Sequence, residues 1–179
     1  MKLLIVIIFA HCANILTAQN YQSVDNASSV KFVIQNFGMA TDGKFSGLLG
    51  DIKFNPTDLK ASSFIVSIDA NTINTDIDAR DSALRTTAYL DTKKFPQISF
   101  NSKQITIGGK ADMFVVKGVI TIKGISKEIS FPFRLIHKEE GILLSGDFKI
   151  SRRDFKIGIG SLVLSDTIIV SLSVFAKKN

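Results

Sequence analysis

Ile129-Ser130-Phe131-Pro132-Phe133-Arg134-Leu135 is followed, beyond the charged stretch Lys138-Glu139-Glu140-Gly141, by Ile142-Leu143-Leu144-Ser145-Gly146-Asp147-Phe148-Lys149-Ile150. In both runs every second residue is apolar, Gly146 excepted. Side chains alternate across a strand, so each run carries one apolar face and one mostly polar face. A connection this short cannot make a parallel crossover, and the pair reads as an antiparallel hairpin.

The same period continues in both directions. Val30, Phe32 and Ile34 alternate, as do Leu48, Gly50, Ile52 and Phe54, then Phe64, Val66 and Ile68, then Ile98 and Phe100. The chain ends on Ile168, Val170, Leu172 and Val174. Gly108-Gly109-Lys110 and Gly124-Ile125-Ser126 are further turn-like stretches. An open sheet of such strands would leave an apolar face bare and two edges unpaired, and closing it on itself hides both. The expected fold is therefore all-β, a single antiparallel β-barrel of about eight strands. A two-sheet sandwich buries the same faces, and periodicity does not separate the two.

Residues 71–96 break the alternation. Ile73, Ile77 and Leu84 fall at helical spacing, and Asp76 and Asp78 stand where a helix start favours acids. One or two short helices are expected there, capping the barrel or lining its mouth, before Pro96 restarts an extended strand.

The chain of 179 residues suits one domain. Lys2, the apolar Leu3 to Ala10 and the approach to Ala18 follow the pattern of a signal peptide over residues 1–18, leaving 19–179 as the folded domain. That apolar run is too short to span a bilayer. The single cysteine, Cys12, lies inside the leader, with His11 and Phe9 ill-suited to a lipid-attachment site. A mature chain cut after Ala18 has no thiol, so its core must hold it without disulfides. The expected location is periplasmic or secreted.

The formal net charge is +6, with the basic residues scattered. No basic stripe with interleaved aromatics marks a nucleic-acid surface. Mild attraction to anionic lipid surfaces is compatible with this charge. After the leader one histidine remains, His137, beside a charged turn. A thiolate nucleophile and a histidine-rich metal site are excluded, and no serine stands in a glycine-flanked nucleophile turn. Asp76 and Asp78 read as helix-start acids, not as a glycosidase pair. Gly158-Ile159-Gly160 is too short for a dinucleotide signature. No catalytic residue, metal or cofactor is expected, and the chain reads as a non-enzyme.

The remaining signal is apolar: fourteen phenylalanines and no tryptophan. They either fill the core or line a ligand cavity, since an eight-stranded barrel is wide enough for either. The candidate lining residues are Phe32, Ile34, Phe54, Phe64, Phe100, Phe131, Phe133, Phe148 and Val170. Burial is worth about 0.8 kcal/mol per methylene against an association cost of about 4–15 kcal/mol. A tail of about ten carbons then barely breaks even, and an apolar barrel favours long lipids.

Five stretches in order resemble the YceI-like family of bacterial exported proteins. They are Ser28-Ser29-Val30-Lys31-Phe32 with Asn36-Phe37-Gly38; Gly43 to Phe54; Ile68 to Asp91 running into Lys94-Phe95-Pro96-Gln97-Ile98-Ser99-Phe100; Gly118 to Lys127; and Ser151-Arg152-Arg153-Asp154-Phe155. The resemblance implies an extended lipocalin-like barrel that binds a lipid or polyisoprenoid. The chain departs from it at Ala27, Asn36 and Ala83, where many members carry histidine, and at Leu90, where Phe is common. A ligand contact made by those histidines would be lost here. Arg80, Arg85 and Arg152 either tie loops to the rim or receive a phosphate-like head group, which guanidinium groups bind bidentately. The expected function is an exported carrier sequestering a long apolar lipid or isoprenoid; the alternative is a structural or stress-response barrel with a filled core. Expected partners exclude nucleic acid, limit membrane contact to the peripheral, and leave room for a homodimer.

Overall fold

The computed structural model describes residues 18–179, so the leader proper lies outside the described residues. Ten strands are defined: β1 (Gln19–Ser23), β2 (Ser29–Asn36), β3 (Met39–Phe45), β4 (Leu49–Phe54), β5 (Ser63–Asp69), β6 (Gln97–Ile107), β7 (Met113–Ile122), β8 (Ile125–Lys138), β9 (Gly141–Ser151) and β10 (Leu164–Lys178). The one described α-helix is α1 (Asp78–Leu84). The strands build eight staves of a closed antiparallel barrel. β1 and β2 form one stave interrupted at residues 24–28, and β3 and β4 another interrupted at residues 46–48. This is the expected barrel; the sandwich is excluded by its closure.

Closure is the work of β10. One edge pairs with β9 from Thr167↔Ser151 to Lys177↔Gly141. The other edge pairs first with β2, from Leu164↔Asn36 to Ser173↔Ser29, and then with β1 through Tyr21↔Lys178, Gln22↔Lys177 and Ser23↔Ala176. The polar faces of the staves point outward, with Asp51, Lys53, Lys117, Glu128, Asp147 and Lys149 all exposed. Glu128 bridges Lys103 at 3.1 Å and Lys117 at 2.7 Å, and these cations hold its carboxyl below the ordinary range. Charges facing outward would be costly against hydrocarbon, so the outer wall suits water. No described helix is long and apolar enough to cross a membrane.

The turns are tight. Phe37-Gly38 (φ 50° and 75°) and Lys123-Gly124 (φ 51° and 71°) hold both central residues in the left-handed region, the geometry whose twist matches a hairpin. The second turn lies one residue earlier than the sequence suggests, because Ile125 and Ser126 already belong to β8. The two ends of the barrel differ. Residues 55–62 and the β6–β7 and β8–β9 turns close one end; the β2–β3 turn, residues 70–95 and residues 152–163 surround the other.

At that second end no strand among the described residues pairs with the outer edge of β3; Lys44 instead exchanges backbone hydrogen bonds with Asn74 (2.9 and 3.0 Å). α1 follows as expected, but Ile77 precedes it and is 51 % exposed, whereas Ile73 is buried. The apolar spacing there is split between an extended segment and the helix, so its members do not share a face.

Arg152 anchors the loop after β9. Its Nε donates to Ser165 O (2.9 Å), Nη1 to Ile157 O (3.0 Å) and Ile159 O (2.7 Å), and Nη2 to Leu164 O (3.3 Å) and Asp166 Oδ1 (2.8 Å). A guanidinium has five N–H groups, and all are committed. Arg152 is 1 % exposed, so the head-group role considered for it gives way to a structural one. Replacing Arg152 with Ala should lower stability by about 2–4 kcal/mol, because four carbonyls in buried or partly buried bonds lose their donor. The midpoint of urea unfolding measures this, and limited proteolysis should cut first within residues 156–164.

Candidate functional site

Inward residues of the staves follow the sequence alternation, and their size changes along the barrel axis. Toward the closed end aromatics meet across the lumen. Phe54 lies edge-on to Phe114 (ring centroids 5.1 Å apart), Phe114 stacks on Phe133 (5.6 Å), and Phe133 meets Phe64 (5.4 Å). A void of about 70 Å³ lies among these rings. Toward the open end most inward positions are aliphatic, among them Ile34, Ile68, Ile98, Ile120, Ile150 and Val170, which are too short to meet in the middle. They enclose a cavity of about 540 Å³, within the range of small-molecule sites.

Three phenylalanines separate these regions. Phe131 stacks on Phe148 at 4.6 Å with 26° between the planes, and Phe100 meets Phe131 at 5.7 Å. Phe100 fits because Gly118 on β7 lacks a side chain; a Cβ there would lie 2.5 Å from the Phe100 ring. Phe100 and Phe131 border both the cavity and the small void, together with Val66, Leu172 and Val174. They form a floor with a little free space beneath it.

Six of the nine expected lining residues reach the large cavity: Phe32, Ile34, Phe100, Phe131, Phe148 and Val170. Phe64 and Phe133 border only the small void, and Phe54 borders neither. All three point inward, but their height places them in the packed half. The connections supply walls that the strand pattern did not announce: Ile73, Leu84, Tyr89 and Leu90 from one side, Ile157, Ile159 and Val163 from the other. The available signal was a set of apolar residues inside otherwise polar connecting segments.

The polar groups gather at the rim. Among the described residues no Asp or Glu lines the cavity; Arg80 and Arg152 stand at its rim, whereas Lys31, on the exposed face of β2, borders it lower down, beside Phe32. Arg80 donates from Nε to Thr75 Oγ1 (2.8 Å) and from Nη2 to Thr75 O (2.6 Å). Thr75 is fixed in turn by the buried carboxylate of Asp81, which accepts from its backbone N–H at 2.9 Å and from its hydroxyl. Nη1 of Arg80 has no hydrogen-bond partner among the described residues. Arg85 stands off the cavity wall, donating to Asn71 O and Ile73 O (both 2.8 Å). Of the three expected head-group contacts, Arg80 alone both lines the cavity and keeps guanidinium N–H groups without a partner among the described residues. Asn36, Ala83 and Leu90, three of the family departures, line the cavity, while Ala27 is exposed in a 3-10 turn away from it. His137 is exposed near the closed end.

The YceI-like domain model matches residues 21–176. Protein YceI of Escherichia coli O6:H1 is 26 % identical over 158 residues, covering 83 % of this chain and 82 % of the relative. Among solved structures, BcnA of Burkholderia cenocepacia superimposes with a TM-score of 0.79 at 23 % identity, over 84 % of this chain and 96 % of that one. A polyisoprenoid binding domain from Saccharophagus degradans, implicated in plant cell wall breakdown, gives a TM-score of 0.74 at 18 % identity, over 89 % and 98 %. Both likenesses are of fold, and they agree with the closed barrel described above. With a family match spanning nearly the whole described chain, this protein belongs to the YceI-like family.

Proposed function

We propose that the protein is a carrier that holds one long apolar lipid, an isoprenoid among the candidates, with its tail on the phenylalanine floor and its polar end at the rim. The observation that carries this reading is the cavity of about 540 Å³, walled mostly by aliphatic and aromatic side chains and, among the described residues, lined by no acid. Apolar cavities bind apolar guests in preference to water. The family membership and the polyisoprenoid-binding neighbour support the same reading. A barrel with a filled interior, the competing view, does not account for the hollow half.

The chemistry proposed is binding, not catalysis. Tail burial supplies the affinity, and Arg80 orients a head group that can accept a charge-assisted hydrogen bond. Residues 71–95 form the wall through which the ligand passes. On the sequence reading of the leader, the carrier works in the periplasm or after secretion.

A dansyl-labelled long-chain fatty acid added to delipidated protein should show enhanced, blue-shifted emission that saturates at one equivalent. Unchanged emission with correctly folded protein would remove the carrier reading. Arg80→Gln should weaken the carboxylate probe about tenfold or more while leaving the corresponding alcohol nearly unaffected, as expected for loss of one charged contact. Phe131→Ala opens the floor into the void beneath it. Competition with a chain-length series should then shift the preferred tail to longer chains, and an unshifted preference would show that the floor does not set the length.

A further inference from the structure

Ten large apolar side chains are exposed among the described residues, and their placement is uneven. Phe37, Met39, Ile77, Ile159, Leu162 and Val163 stand at the open end, whereas Ile107 alone stands at the closed end. Five of those six form one patch. The Phe37 N–H donates to Val163 O at 2.9 Å, tying the β2–β3 turn to the loop that Arg152 holds. Leu162 is fully exposed at the tip of that loop, and Phe37 is 69 % exposed.

Phe37 is the more informative of the two. Its φ of 50° lies in the left-handed region, where a hairpin turn favours Asn or Gly and a bulky side chain is strained. The strain gains no core contact in return, since the ring faces solvent.

The patch continues into the lipid cavity, because Ile159 and Val163 line it as well as the outer rim. Its flank is basic. Arg153 is exposed and lies against Gly160, with Nη1 2.8 Å from where a Cβ at that glycine would stand. Lys156 is exposed too, and neither cation forms an ion pair among the described residues. The loop's acids are Asp154 and, beyond it, Asp166, which Arg152 already engages.

We infer that this rim is a docking surface for a lipid bilayer with anionic head groups. Phe37, Met39 and Leu162 enter the interface while Arg153 and Lys156 face the head groups, an arrangement that combines buried apolar area with electrostatic attraction. A bilayer fits better than a folded partner because the patch sits on projecting loop tips and leads into the cavity. A tail can then pass from membrane to barrel along continuous apolar surface. This inference rests on the carrier reading, since the cavity gives the docking its purpose.

The test is flotation of delipidated full-length mature protein with vesicles of phosphatidylcholine alone or mixed with phosphatidylglycerol. The wild type should float with the mixed vesicles and more weakly with phosphatidylcholine. The double variant Phe37→Asn/Leu162→Asp should lose vesicle binding about tenfold or more, as expected from removing two inserted apolar side chains. Arg153→Glu/Lys156→Glu should abolish the preference for anionic vesicles. Both variants should still bind the dansyl fatty acid, because neither change touches the floor or Arg80. Wild type that stays unbound to both vesicles, or a Phe37→Asn/Leu162→Asp variant that floats like wild type, overturns the docking surface. A dimer that this variant dissociates, without vesicle binding, assigns the patch to a second copy instead. Failure to bind the probe combined with normal flotation removes the carrier reading and leaves the surface standing.

Discussion

The hydrogen-bond ladder along β10 is the constraint on which everything else depends. A strand of 15 residues spans about 50 Å, and both of its edges are occupied, one by β9 and the other by β2 and then β1. If the seam with β1 and β2 were open, the inward faces of all eight staves would be one side of a bare sheet. With the seam closed, the staves share one lumen of fixed width. That width is small enough for phenylalanines on opposite staves to touch and too large for isoleucines to do so. Whether a given level of the barrel is solid or hollow is then decided by the residues that reach it.

The chain uses this rule twice. At the level of Phe54, Phe64, Phe114 and Phe133 the rings meet and the interior is core. One tier up, Phe100, Phe131 and Phe148 close the lumen as a floor, and above them the strand walls are mostly aliphatic. Glycines make the aromatic tiers fit. Gly118 leaves room for Phe100, and a side chain at Gly43 would overlap the ring of Phe32. The hollow end needs a rim, and the rim is held by polar groups: Asp81 and Arg80 fix Thr75, while Arg152 gathers the carbonyls of the opposite loop. The buried groups among them, Thr75, Asp81 and Arg152, are hydrogen-bonded and lend the rim rigidity without intruding on the apolar wall.

Much of this was legible from alternation alone. Each inward face read from the sequence, from Val30-Phe32-Ile34 to Ile168-Val170-Leu172-Val174, is the inward face of the barrel. Height along the axis was not legible, because it depends on register between strands distant in sequence. That is why Phe54, Phe64 and Phe133 were grouped with residues that line the cavity. The connecting segments were legible as a mouth but not as walls, since the apolar side chains of Ile73, Leu90 and Ile157 follow no period. Arg152 shows a third kind of limit. A guanidinium suited to a phosphate is equally suited to a ring of backbone carbonyls, and the difference lies in the path of residues 156–166, which pattern does not encode.

The hollow half also bears on stability. Cavities cost roughly 2 kcal/mol for each ~100 Å³ left by truncating a core side chain, and native proteins hold only about 5–15 kcal/mol in reserve. A space of about 540 Å³ is partly relieved by its open rim, yet it forgoes contacts that a few larger side chains would supply. The tier just below shows that this same lumen accepts phenylalanine from neighbouring staves. Leaving the upper tier largely aliphatic therefore sacrifices stability that the fold could have had, a pattern expected where a site needs room for a guest. On the carrier reading the guest returns the missing contacts: a ligand that binds the folded barrel and not the unfolded chain raises stability by mass action. Emptiness and occupancy are then two states of one packing problem, with the lipid tail completing a core that the chain leaves unfinished.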